Sequence, residues 1–361
     1  MNLKKLFENR NPKPRCIGTG LITLDIVMNR NGLAEPICWA GGSCGNVLTI
    51  LSYIGWDSYP IAKLGNDAAG KYLIKAMETW GVNCSQIYLS NSISTPIIVE
   101  ILSNGRDGIP SHRWSWICPH CGSRLPTYRP IPLKEIGEIS KDNFNSNVFY
   151  FDRVARSNVE LAKISKNYGA IIIFEPSRIR NKGILVECLE IADIVKYSRG
   201  KYGFFKEALE KVSVPLEIQT LGSNGIRYRS GNNTQNREWK TMPAYWVSNS
   251  IKDTAGSGDW CSAGIIHAIC RFGRGHFMNL THEDIQYSIN FGQALAALSC
   301  YYTGARGLMY NVPKENLEML IQSIWDNRSV SHMLEQEEVP FGSSQITCPN
   351  CMNVNPSSQS I

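Results

Sequence analysis

No run of about twenty apolar residues, the length that crosses a bilayer as a helix, occurs in this chain of 361 residues, so nothing in it predicts a membrane span. It also lacks any block of Lys or Arg. The net charge of +6 is spread along the sequence, which argues against a nucleic-acid stripe and leaves a small polyanionic substrate as a sufficient reason for it. The basic start, Met1 to Phe7, runs at once into the polar stretch Glu8 to Pro14, with no apolar core of a secretory signal, so a cytoplasmic protein is expected. Charged residues are sparse at 19% beside 43% apolar ones, a balance that predicts a globular protein with a sizeable core.

What the chain does have is cysteine. Twelve residues without an export signal point to reduced thiols and metal ligands more than to disulfides. Cys16, Cys44, Cys188, Cys261, Cys270 and Cys300 sit singly in apolar patterns and read as small core residues. Four others form two knuckles, Cys118-Pro119-His120-Cys121 and Cys348-Pro349-Asn350-Cys351. Paired thiolates at that spacing favour tetrahedral zinc, and a single four-cysteine site is the leading expectation. Two sites bridging subunits, or two redox dithiols, are the alternatives. A closed four-thiolate site leaves the metal no open position, so its role would be structural.

The stretch Asp253-Thr254-Ala255-Gly256-Ser257-Gly258-Asp259-Trp260 leads into an apolar helical pattern through Cys261, Ile265, Ala268 and Phe272. A glycine-rich entry to a helix brings the backbone close to a ligand, and its unpaired N–H groups favour an anion. A carboxylate there is either part of an ordinary Asp/Gly-rich cap or a base placed beside a phosphoryl group. A second loop of this kind, Trp39 to Asn46, opens a helix through Val47, Ile50, Leu51 and Ile54 that stops at Gly55.

Between these loops strand and helix alternate, which predicts a parallel sheet. A strand is expected over Cys16–Val27 with Asp25 near its end, another over Tyr59–Leu64, and a helix over Ala68–Trp80. Strand-like runs around Ile97–Leu102 and Arg113–Ile117, turning at Asn104-Gly105, predict a protruding flap. Further strands are expected at Val148–Phe151, Ala170–Phe174, Ile194–Lys196 and Leu216–Gly222, the last with an antiparallel neighbour at Ile226–Tyr228. Long helices should begin at Gly258 and Glu283.

From about Arg15 to Tyr310 these motifs resemble the ribokinase-like, or PfkB, family of carbohydrate and nucleoside kinases. The carboxy-terminal signature is similar to Asp253–Asp259, with Ser257 where alanine is usual, and the amino-terminal one to Gly41–Asn46, preceded by Asp25 and followed by Gly65–Gly70. The resemblance implies an α/β, doubly wound, mainly parallel sheet flanked by helices, with a small β-rich lid that often serves as a dimer surface. The domain would span 15–335, with lid and knuckle at about 95–125, an extension at 1–14 and a tail at 336–361.

It also implies ATP- and magnesium-dependent transfer to a hydroxymethyl group of a sugar or nucleoside. Asp259 would be the base, and the amides of Ala255, Gly256, Ser257 and Gly258 the anion hole. Asp25, Gly41, Gly42 and Asn46 would meet the acceptor, and Lys196, Thr220, Gly222, Gly225, Asp253 and Thr254 the nucleotide. Arg178, in Glu175-Pro176-Ser177-Arg178, either reaches a substrate anion or is a surface arginine. One departure stands out: where the family carries N-x-x-E after the strand ending at Val195-Lys196, Ser198 and Lys201 stand here, exchanging a carboxylate for a cation. A sugar- or nucleotide-binding regulatory protein with weakened catalysis is the second expectation.

Overall fold

The computed structural model describes residues 3–8, 10–29, 36–104, 110–139, 144–177, 179, 181–231, 238–247, 251–327, 329–330, 348 and 351. Its strands are β1 (Arg15–Thr19), β2 (Thr23–Asn29), β3 (Ile37–Gly41), β4 (Asp57–Pro60), β5 (Ala62–Gly65), β6 (Ile87–Ser90) and β7 (Ile97–Asn104). They continue with β8 (Pro110–Ser115), β9 (Val148–Phe151), β10 (Ile171–Phe174), β11 (Ile194–Ser198), β12 (Leu216–Thr220), β13 (Ile226–Ser230) and β14 (Lys240–Met242). The helices used below are α1 (Leu3–Phe7), α2 (Ser43–Tyr53), α3 (Ala68–Glu78), α4 (Leu133–Ile136), α5 (Arg156–Asn167), α6 (Lys182–Ile191), α7 (Tyr202–Lys211), α8 (Ser257–Cys270), α9 (Arg274–Phe277) and α10 (His282–Ser299).

The eight-stranded main sheet runs β14-β13-β12-β11-β10-β9-β1-β4. Its strands are parallel from β4 to β12, while β13 and β14 pair antiparallel. The central runs Val-Phe-Tyr-Phe and Ile-Ile-Ile-Phe are wholly buried, as strands covered on both faces must be. Their period of two divides them between two cores. Val148, Tyr150, Ile171 and Ile173 join the core beneath α2, α8 and α10, and Phe149, Phe151, Ile172 and Phe174 join the one beneath α5, α6 and α7. The doubly wound α/β architecture is therefore the one expected.

Helices α8 and α10 nearly touch. A Cβ on Gly264 would lie 2.7 Å from Gly292 Cα, and one on Gly292 would lie 2.7 Å from Cys261 O, so both positions need glycine for this approach. The contact fixes α8, and with it the loop at its amino end.

Two expected strands divide. The run from Cys16 forms β1 in the main sheet and β2 in a separate sheet ordered β3-β2-β7-β8, which places Asp25 within β2 and not near a strand end. The break falls where Leu21 N donates to Asp152 Oδ1 at 2.9 Å and Gly20 adopts φ 153°. A Cβ there would lie 1.7 Å from Asp152 Oδ1, so only glycine lets that carboxylate take Leu21 N out of the strand ladder. Likewise β4 stays in the main sheet while β5 pairs with β6. The expected flap is present as the β7/β8 hairpin, completed by β2 and β3 into a four-stranded lid.

At the amino end, Leu3 and Leu6 of α1 are buried in the main core, and Arg271 donates to the carbonyls of Lys5, Leu6 and Glu8. Most of the tail expected at 336–361 lies outside the described residues, as does Arg178. No helix among the described residues is long and apolar enough to cross a membrane.

Candidate active site

The carboxyl ends of the parallel strands, the amino ends of α2 and α8 and the inner face of the lid enclose a cavity of about 670 Å³. Asp25, Gly42, Asn46, Gly256 and Asp259 all line it, which gathers residues expected at the acceptor and in catalysis from three separate stretches of sequence. Trp114, Trp116 and Arg124 line it from the lid and the segment beside it, and Tyr128, Arg153, Ser177 and Lys201 line it as well.

Each loop residue has a steric reason. Gly256 caps α8 with φ 73°, and a Cβ on it would lie 2.6 Å from the backbone of Ala305. Gly42 caps α2 with φ 87°, where a Cβ would meet Leu21 O at 2.5 Å. Gly41 leaves space for Asp25, whose Oδ2 would lie 1.9 Å from an added Cβ.

Asp253 organises the loop before α8 from within. It is buried, its Oδ1 accepts from Ala255 N at 2.8 Å and its Oδ2 from Gly304 N at 2.7 Å. Ser257 N donates to Thr254 O at 3.3 Å, so two of the four amides expected in the anion hole are engaged inside the loop. Gly256 N and Gly258 N have no partner among the described residues and remain as donors.

Asp259 accepts from Asn46 Nδ2 at 2.7 Å. Burial, followed by the charge of Glu175, lifts its pKa to about 7, against the opposing pull of Asn46 and Lys196. Asp25 is buried with Oδ1 unpartnered, and burial followed by Glu100 raises its pKa well above the ordinary carboxylate value. An unpartnered buried carboxyl facing a cavity suits an acceptor hydroxyl.

The residues expected on the nucleotide side divide. Lys196 is buried, donating to Glu175 Oε1 at 2.7 Å and to Gly258 O at 3.1 Å, so it braces the loop. Gly225 is a turn residue whose Cβ would meet Met242 O at 2.1 Å, whereas Gly222 faces open space beyond β12. Thr254 Oγ1 meets His112 Nε2 at 3.0 Å, and Thr220 lies half-buried at the end of β12.

Sequence reasoning missed three partners. Arg306 is buried and donates from Nε to Asn46 Oδ1 at 2.9 Å. His112 bridges Glu100 and Asp253, its Nδ1 bonded to Glu100 Oε1 and its Nε2 at 3.2 Å from Asp253 Oδ1, which ties the lid to the loop before α8. Arg153 follows β9 and pairs with Asp152 at 2.9 Å. Only the carboxylate-to-cation exchange at Lys201 had been a signal.

Magnesium finds no matching donor set here. Asp25 and Asp259 are the only described carboxylates lining the cavity. The acids at the adjoining strand ends are engaged, Asp152 by Arg153 and Leu21 N, and Glu175 by Lys196, Ser262 and Tyr150. The residues do not fit a divalent ion held by protein carboxylates.

A second cluster lies where the lid hairpin ends. The Sγ atoms of Cys118, Cys121, Cys348 and Cys351 are all within 4.8 Å of one another, with Cys118 3.7 Å from Cys351 and Cys121 3.8 Å from Cys348. These distances are far beyond the ~2 Å of a disulfide.

Residues 31–109 match the family model described as pfkB family carbohydrate kinase. Fructokinase-1 of Oryza sativa subsp. japonica is 20% identical over 285 residues, 73% of this chain and 83% of its own length. Among solved structures, fructokinase with bound ATP from Xylella fastidiosa superimposes with a TM-score of 0.64 at 17% identity, covering 81% of this chain and 93% of that one. Aminoimidazole riboside kinase from Salmonella enterica, complexed with aminoimidazole riboside and an ATP analogue, gives 0.64 at 17% identity over 85% and 99% of the two chains. An uncharacterized sugar kinase from Pyrococcus horikoshii in complex with ATP gives 0.62 at 22% identity over 84% and 96%. The chain thus has the fold of these sugar and nucleoside kinases, and its residues 31–109 are similar to the pfkB family of carbohydrate kinases.

Proposed function

We propose that the protein is an ATP-dependent kinase that phosphorylates a hydroxymethyl group of a sugar or nucleoside, with Asp259 as general base. The observation that carries this reading is Asp259 in one cavity with Asp25 and Asn46, beside the free N–H groups of Gly256 and Gly258. With its pKa at about 7, Asp259 is matched to accepting a proton near neutrality.

Asp25 and Asn46 position the acceptor. Asp259 takes the hydroxyl proton as the oxygen bonds to the γ-phosphorus, and the bond from that phosphorus to the bridging oxygen of ADP breaks. Gly256 N and Gly258 N stabilise the charge on the transferred group. A base of this kind contributes about 10²- to 10⁴-fold, and positioning much of the rest.

The test is turnover of ATP against a panel of sugars and nucleosides that includes fructose. At least one is phosphorylated by the wild type, and Asp259→Asn lowers that rate by about 10²-fold or more. A rate unchanged in Asp259→Asn removes the assignment.

The cysteine cluster supports a structural zinc ion. Bonds of about 2.3 Å from a tetrahedral zinc set sulfurs about 3.8 Å apart, the spacing of the two close pairs. Such an ion would join the lid hairpin to residues 348 and 351 and leave the chemistry to the cavity.

A further inference from the structure

Three adjacent parallel strands, β9, β10 and β11, deliver Arg153, Ser177 and Lys201 to one edge of the main sheet, on the wall of the cavity that holds Asp259. The two cations are tethered to neighbouring residues of the β10 end. Arg153 Nη1 donates to Ser177 Oγ at 2.5 Å, and Lys201 Nζ to Pro176 O at 3.4 Å.

Their charges are unequally matched. Arg153 pairs with Asp152, and Lys196 with Glu175, but Lys201 makes no ion pair among the described residues, its single hydrogen bond there being the long one to Pro176 O. Every contact Arg153 makes to Asp152 and Ser177 uses Nη1, which leaves Nε and Nη2 without a hydrogen-bond partner among the described residues. Arg153 is only 16% exposed. A surplus cation in a partly desolvated wall is unfavourable until an anion arrives. Burial, then the charges of Lys196 and Arg153, hold the Lys201 ammonium below its ordinary pKa against Glu175 and Asp152, the signature of a site that gains by taking up negative charge.

We propose that Arg153 and Lys201 form a side-chain subsite for phosphate oxyanions, one that neutralises the terminal phosphates of the nucleotide without a carboxylate-held divalent ion. This rests on the kinase reading for the source of the phosphate, though not for the subsite itself. Arg153 offers a planar fork to two oxygens and Lys201 a compact charge to a third. Together they take the place of the acidic donors that the cavity lacks.

Equilibrium binding, measured by calorimetry on the full chain, tests it with ATP in EDTA, ATP with magnesium, inorganic tripolyphosphate in EDTA, and ribose 5-phosphate. The expected result is metal-free ATP and tripolyphosphate binding within about tenfold of magnesium-ATP, weakened at least tenfold by either Lys201→Gln or Arg153→Gln and largely kept by Lys201→Arg. Circular dichroism and unchanged affinity in Lys163→Gln, an exposed cation on α5 that does not line the cavity, separate this from misfolding. If ATP binds in neither condition while ribose 5-phosphate binds and loses affinity in both glutamine variants, the subsite stands and the nucleotide-donor reading falls. Magnesium-ATP binding with no detectable metal-free ATP or tripolyphosphate binding overturns the subsite, as do glutamine variants that leave every affinity within twofold.

Discussion

Asn46 donates from Nδ2 to Asp259 Oδ2 at 2.7 Å, and the orientation of that amide is set from behind by Arg306, whose Nε reaches Asn46 Oδ1 at 2.9 Å. A guanidinium can only donate, so the carbonyl oxygen must face Arg306 and the NH₂ must face the Asp259 carboxylate. This fixed donor opposes the burial that raises Asp259.

As the proposed base, Asp259 would act ionised, so activity is expected to rise with pH through about 7. Removing the donor in Asn46→Ala destabilises the carboxylate and moves this acidic limb to higher pH. Arg306→Met frees the amide to turn and gives a smaller shift in the same direction. The pH dependence of kcat/KM for the three proteins checks this, and a limb that stays in place in Asn46→Ala contradicts it.

Gly256→Ala places a methyl group 2.6 Å from the Ala305 backbone at φ 73°. Backbone strain of this kind is of order 1–3 kcal/mol, and the clash adds to it. The variant is expected to melt several degrees lower, with a kcat loss larger than that of Gly258→Ala, whose Cβ meets nothing within 4 Å. Thermal melts and initial rates measure both.

Metal analysis of untagged protein should find one zinc per chain, lost in Cys348→Ser and in Cys121→Ser alike. Chelation of the wild type should lower the melting temperature to that of the variants. Full zinc occupancy in either serine variant would show that four ligands are not required.

His112 contributes a pH term of known sign. Its bond to Glu100 and, after it, the charge of Asp253 raise its pKa against burial, while burial raises Glu100. Groups raised on folding bind more protons in the native state. The stabilisation from His112 is therefore complete below its unfolded value of about 6.5 and is lost as pH rises through the folded one. His112→Ala should thus cost more stability at pH 6 than at pH 9, and denaturant titrations at the two values decide it.

How much of this was legible depends on the kind of contact. Gly42, Asn46, Gly256 and Asp259 were readable because a ligand-binding loop at a helix entry imposes residue types at fixed local spacing. The cysteines were readable because a C-P-x-C knuckle is local, though their meeting across the chain is not. Arg306, His112 and Arg153 were not readable, since each owes its role to a partner more than ten residues away or to a neighbouring strand end, and the type alone allows a solvated side chain. The division of Cys16–Val27 between two sheets was hidden for the same reason: alternation within the run is continuous, and the break is made by Asp152 from another strand.

The cysteine cluster also sets an order of events during synthesis. Cys121 and Cys348 are separated by 227 residues. At translation rates of about 5–20 residues per second, the second knuckle follows the first by on the order of 10–50 s. Throughout that interval the lid hairpin carries two thiols without their counterparts, so a nascent chain can bury its central sheet well before the cluster closes.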